Sequence, residues 1–322
     1  MEGITKLGTT RTGRGSRETL ETRIVVEQPA LTQPETEQQL HQRSKSPGMM
    51  RLSVNHLTTF AWDVDDELIA YHREGFRAMG LWRPKLSGFG EERTADLLRE
   101  LGISVSSLSW AGGFTGTNRW SFEDSLADAR AAIKQAALVG AECLAIVSGP
   151  RGGHIDSHAR RLITEALSVL APEAAEAGVA LALQPMRRDF SRSWTFLHAL
   201  DETLEVIGDA GRGLKIAFDV YHLCNERRLV ARIPELAPHV AVVQLCDSPA
   251  AARGERRMLG DGEIPLSTIV RAFDEAGYAG YYELAAWSRS LWRRDYCELL
   301  RECRARFDSL CRQPVPAALA GN

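Results

Sequence analysis

The 322-residue sequence predicts a single α/β domain, a (β/α)8 barrel of the TIM type behind a polar tail. Eight short β-like runs alternate with stretches of helical period from Arg51 onward, the pattern of a parallel sheet built from βα units. The alternation spans about 270 residues, close to the roughly 250 typical of a closed eight-stranded barrel. An open doubly wound sheet is the competing architecture, but its GxGxxG phosphate fingerprint does not follow the first run.

The elements follow in order. RLSVNHLTT (51–59) is the first strand and ends around Asn55 and His56, with a helix predicted over 65–79. GLWRPKL (80–86) is the second, carrying Lys85 to its end, with a helix over 91–101 behind it. ISVSSLSW (103–110) ends at Trp110 and the glycine loop AGGFTG. The next helix, 121–139, opens on Ser121 with Asp124 three residues later, a capping signal. CLAIVSG (143–149) leads through GPRGGH to a helix over 156–177 that stops at the glycine of AAEAGV. VALALQP (179–185) brings Gln184 to a strand mouth before a helix over 194–207. LKIAFDVYH (214–222) ends in Asp219 with His222 three residues on, followed by 226–236. VAVVQLCD (240–247) carries Gln244 and Asp247, then a loop with Arg253, Arg256 and Arg257, a GDG turn and a helix over 267–276. YYELAAW (281–287) carries Glu283 and Trp287, and 291–311 closes the ring.

Composition narrows the function classes. With 44% hydrophobic and 25% charged residues and a net charge of −3, the chain reads as an ordinary soluble globular protein. It lacks the basic balance of a nucleic-acid binder. No apolar stretch in residues 1–49 is long enough for a secretion signal or a membrane span, so a cytoplasmic location and no membrane partner are expected. Six scattered cysteines without a CxxC pair are expected as reduced thiols. Residues 1–49, rich in Thr, Glu, Gln, Arg and Gly, read as a disordered tail or as an upstream extension ahead of Met49 and Met50. The barrel is expected over 50–312, with a short tail over 313–322.

In such barrels the chemistry sits at the C-terminal strand ends. Asp219 there could be a hard oxygen ligand for a cation, with His222 binding a substrate hydroxyl; equally, Asp219 could cap the segment that follows and His222 pack as a hydrogen-bonded loop residue. The loop arginines could grip an oxyanion or be a solvated face, and the GDG turn permits close approach to a ligand.

Taken as an ordered set, MRLSVNHLTT, GLWRPKLSGFG, LRELGISVSSLSWAGGFTG, FDVYHL, MLGDGEIPL and GYAGYYELAAWSRSLWRRDYCELL resemble the sugar phosphate isomerase/epimerase family, the barrels related to xylose isomerase, from about Met50 to Cys311. The resemblance implies a divalent metal (Mg, Mn or Zn) held by a Glu, an Asp, a His or Gln and a second Glu. That metal would polarise a carbonyl while carboxylates move a proton through an enediol. Carried over, the metal positions fall on Asp219, Gln244 and Gln184, and the substrate-binding positions on His222 and Arg256, with Asn55 and Lys85 as further strand-end candidates. Both glutamates depart: the first position holds Gln184 and the second Ala285, leaving Gln184 and Glu283 as the nearest catalytic candidates. Each lost carboxylate removes attraction of order 4 kcal/mol at about 4 Å and an effective dielectric near 20. Glu283 lies about 6–7 Å deeper on the same strand face, where pairing with Lys85 or Lys215 is expected.

Two functions follow from the resemblance. One is an isomerase or epimerase of a small sugar, sugar acid or sugar phosphate with a rearranged or weakly metallated site; the other is a degenerate member that binds a sugar-like ligand or partner without turnover. A metal-dependent endonuclease would need a histidine- and carboxylate-rich multinuclear site and a basic face, and the sequence has neither. Barrels of this kind are often homo-oligomers.

Overall fold

The computed structural model describes residues 50–117, 120–249 and 255–312. The expected tails, 1–49 and 313–322, and Arg253 lie outside the described residues. Eight parallel strands close into a barrel in chain order: β1 (Arg51–Asn55), β2 (Ala78–Trp82), β3 (Ser104–Gly112), β4 (Cys143–Val147), β5 (Ala180–Leu183), β6 (Lys215–Asp219), β7 (Val240–Leu245) and β8 (Tyr281–Leu284). Closure runs from Arg51↔Tyr281 to Val54↔Leu284.

The helices are α1 (Val64–Arg73), α2 (Arg83–Phe89), α3 (Glu91–Leu101), α4 (Phe122–Leu138), α5 (Asp156–Glu176), α6 (Leu200–Ala210), α7 (Val220–Leu223), α8 (Leu229–Leu236), α9 (Leu266–Glu275) and α10 (Tyr296–Arg312). None of them is long and apolar enough to cross a membrane. The longer helices cover the sheet with an apolar stripe. In α9, Leu266, Ile269, Val270 and Phe273 recur at helical spacing and are all buried. Strand β4, covered on both faces, is buried along its whole length. At the head of α4, Ser121 and Asp124 form a reciprocal capping box.

Several boundaries differ from expectation; the strand expected over 214–222, for one, ends at Asp219, and Val220 opens a short helix that carries His222. The first helix ends at Arg73, because Gly75 turns the chain (φ +78) and Phe76 is drawn into the core ahead of β2. The second strand is Ala78–Trp82. Beyond it Arg83 starts a helix with Pro84 in its first turn, where a missing N–H is harmless, so Lys85 stands on that helix and not at a strand end. Residues 194–199, expected as helix, form a loop bound to the end of β4: Gly149 N–H donates to the Trp194 carbonyl at 2.9 Å and Phe196 N–H to the Gly149 carbonyl at 3.0 Å.

The pleat positions the site. Side chains two apart on a strand share a face. Ala182, Ala217, Val242 and Tyr281 belong to one small buried cluster with Ala78, Cys143 and Ala145. Two residues further along the same chain segments stand Gln184, Asp219, Gln244 and Glu283, a buried polar layer over an apolar base.

Candidate functional site

The polar layer is wired in one direction. The Trp110 indole N–H can only donate, and it meets the Gln184 side-chain oxygen at 2.5 Å. The Gln184 amide NH2 must then face away, and it donates to Gln244 Oε1 at 3.0 Å and to Asp219 Oδ2 at 3.4 Å. Gln244 in turn donates to Glu283 Oε1 at 2.9 Å. A donor-only indole at one end and an acceptor-only carboxylate at the other thus set both amide orientations, and register pairs Gln244 with Asp219 and Glu283 on the flanking strands.

Glu283 has no cation among its described partners. Asn55 Nδ2 (2.8 Å) and Gln244 donate to one oxygen, and Ser106 Oγ (2.6 Å) and Ser107 Oγ (2.7 Å) to the other. Lys215 donates instead to the Pro238 carbonyl, and Lys85 to Glu67 at 2.5 Å. The expected pairing of Glu283 with a lysine is therefore replaced by neutral donors, which satisfy a buried carboxylate without a second ion to desolvate. Gly80 makes the room: a Cβ there would lie 2.3 Å from Glu283 Oε2.

Besides the Gln184 amide, Asp219 holds two further partners. Its Oδ1 accepts the Tyr221 N–H at 3.0 Å, capping the turn that follows, and its carboxylate takes a two-pronged ion pair from Arg256, Nη1 to Oδ1 at 3.1 Å and Nη2 to Oδ2 at 2.7 Å. The guanidinium lies 4.6 Å from the Tyr221 ring centroid and 3.8 Å from that of Trp287, and Nη1 also reaches the Ala285 carbonyl at 3.3 Å. Arg256 is 3% exposed. Burial pushes the His222 imidazole down to about 3, with Arg256 and Arg187 adding to that and Asp219 opposing it. His222 Nε2, 3.3 Å from Arg256 Nη2, is therefore a neutral partner.

These donors do not fit a divalent cation. The one carboxylate among the three metal positions carries a guanidinium, the two amides are spent on each other and on their neighbours, and hard cations favour carboxylate oxygens. Among the described residues no group of three or more His, Cys, Asp or Glu side chains is placed to hold a metal ion.

Asn55 thus serves Glu283, while Lys85 joins a second buried cluster. Burial pushes Glu67 up to about 7, despite Lys85, Thr59 and Tyr71 beside it, and His56 Nε2 lies 3.3 Å from Glu67 Oε2. The GDG turn also turns inward: Asp247 accepts the N–H groups of Ser248, Gly260 and Ile264, and a Cβ on Gly262 would lie 2.2 Å from Asp247 Oδ1.

Open space lies beside Trp110. A cavity of about 290 Å³ is lined by Trp110, Trp194, Gly112, Gly113, Ser125 and Asp128, with the two indoles edge to face at 5.0 Å. A second, of about 650 Å³, shares Thr117 and Pro150 with it.

A family model described as xylose isomerase-like TIM barrel matches residues 68–304. No curated protein sequence matches significantly. Among solved structures, a protein from Sinorhizobium meliloti 1021 aligns at 26% identity and a TM-score of 0.77, over 82% of this chain and 99% of that one. D-psicose 3-epimerase with D-tagatose, from Clostridium cellulolyticum H10, aligns at 14% identity and 0.66, over 81% and 98%. The IolI protein with a zinc atom aligns at 13% and 0.70, also over 81% and 98%.

Proposed function

The chain belongs to the xylose isomerase-like TIM barrel family, and from its site we propose that it binds a small sugar-like molecule at the barrel mouth without metal-assisted enediol chemistry. The observation that carries this reading is the Asp219–Arg256 pair, which puts a fixed cation of the protein's own where the family resemblance puts a metal ion. The ligand enters beside Trp110 and Trp194, whose indole faces suit the C–H faces of a sugar ring, and Ser125, Asp128 and Ser193 line the same cavity for its hydroxyls.

In this reading the inner residues hold shape. Glu283, enclosed by four donors, and Gln184, an amide, are not free to accept a proton from a ligand. Arg256 fixes Asp219, and Asp219 fixes the α7 turn that carries His222.

A second reading, an isomerase or epimerase with a relocated base, rests on Glu67. A buried carboxyl pushed up to about 7 beside Lys85 is poised for proton transfer near neutral pH.

Calorimetric titration with aldoses and ketoses in the presence of a chelator, run beside proton–deuterium exchange at the carbon next to the carbonyl, separates the two. The first reading expects saturable binding, weakened about tenfold or more by Trp110→Ala, and no exchange above the buffer rate. Exchange that disappears in Glu67→Gln establishes the second. Binding that requires added metal refutes the first.

A further inference from the structure

From the larger cavity we infer an oxyanion subsite, suited to the phosphate of a phosphorylated small molecule whose body lies against Trp110 and Trp194. This deepens the proposed function, because the two cavities share Thr117 and Pro150. Arg151, Arg160, Arg188 and Arg192 line the larger one, against the carboxylates of Asp156 and Glu202.

The arginines differ in their commitments. Arg151 pairs with Asp156 at 2.8 Å and Arg160 with Glu205 at 2.9 Å, both on the surface, where such pairs are weak and readily exchanged. The side chains of Arg188 and Arg192 carry no hydrogen bond or ion pair among the described residues, although Asp189 and Glu202 are near in sequence or in the wall. Asp189 faces Arg187 at 3.6 Å, and Glu202 accepts the His198 N–H at 3.0 Å. Two guanidiniums thus line one cavity without an ion pair, against the single unpaired carboxylate of Glu202, and the excess of positive charge favours an anion there.

Their loop is held in place. Gly149 and Thr195 form a bridge, Ser148 Oγ meets Thr195 Oγ1 at 2.7 Å, and Met186 N–H donates to the Leu197 carbonyl at 3.1 Å. On the facing side, Thr115 Oγ1 donates to the Pro150 carbonyl at 2.7 Å and His154 Nε2 bonds the Thr115 carbonyl at 2.9 Å. The first turn of α5 opens at the same cavity with Ile155 as an N-cap that offers no side-chain acceptor, leaving backbone N–H groups there without a cap. A tethered frame with uncommitted guanidiniums loses little ordering entropy when an oxyanion docks.

Titrating the full chain with inorganic phosphate at low ionic strength tests the subsite on its own. Saturable binding is expected, weakening as salt rises, reduced about tenfold or more in Arg188→Ala/Arg192→Ala and largely retained in Arg188→Lys/Arg192→Lys. Arg188 and Arg192 are both exposed, and circular dichroism checks that the fold is unchanged. Phosphate binding that is absent, or that is indifferent to the double alanine variant, overturns the proposal. Comparing a hexose 6-phosphate with the same hexose then tests the shared ligand: tighter binding of the phosphorylated form that is lost in the double alanine variant supports it, and equal binding overturns it. Trp110→Ala, which weakens the hexose in the preceding reading, leaves inorganic phosphate unaffected, so failure at the mouth and failure at the subsite are read separately.

Discussion

At the scale of single residues, Gln184 is an amide because of what surrounds it. It must accept from the Trp110 indole and donate to Gln244 Oε1 and Asp219 Oδ2, and only an amide does both. Gln184→Glu would turn a carboxylate oxygen toward two acceptors, one of them charged. A loss of about 1–3 kcal/mol is expected in equilibrium urea unfolding, the scale of a buried acceptor left without its donor; an unchanged midpoint would show that the directional chain does not hold. His222 contributes to the pH dependence of stability. Its folded pKa of about 3 lies below the ordinary 6.5, so the unfolded chain takes up the proton first as pH falls. The stability gained by keeping it neutral is complete above about 6.5 and is lost on descending toward about 3. His222→Gln is expected to flatten the unfolding free energy against pH within that window, and parallel curves for the two proteins would contradict this.

At the scale of elements, the strands and most helices were legible because their periods were plain. The run CLAIV has no polar residue and is buried on both faces, while the cap at Ser121 marks the head of α4. What escaped was set by partners distant in sequence. Lys85 reads as a strand-end residue until Pro84 is recognised as a first-turn proline, and the 194–199 segment reads as helix because its anchor is Gly149 on another loop. The site was legible as a set of positions but not as a set of pairings. Ser106 and Ser107, two hydroxyls side by side in an interior strand, were the signal for a buried acid opposite, and Glu67, set among Val64, Leu68 and Tyr71 on a buried helix face, was another. β2 carries a test of how tightly the barrel closes around Glu283. Gly80→Ala places a methyl carbon against Glu283 Oε2 and within 2.8 Å of Asn55 Nδ2. It is expected to cost about 1–3 kcal/mol in thermal or urea unfolding, the range for overpacking a filled core, whereas a neutral result would mean that the carboxylate lies elsewhere.

At the scale of the whole molecule, the barrel keeps its family's architecture while its polar layer is closed on itself. Ala285 belongs to this change as much as Gln184 does: it is fully buried, and its carbonyl helps to hold the guanidinium that occupies Asp219. A glutamate at 285 would compete for that guanidinium, and a metal ion would have to displace it from a buried bidentate pair. Removing one partner of such a pair costs about 3–5 kcal/mol, which a weak donor set of two amides does not repay. Isothermal titration of the full chain with manganese, beside Gln184→Glu/Ala285→Glu, tests this most directly. No site tighter than millimolar is expected in the native chain, with tighter binding in the double variant; a micromolar site in the native chain, not improved by the two glutamates, would contradict the account.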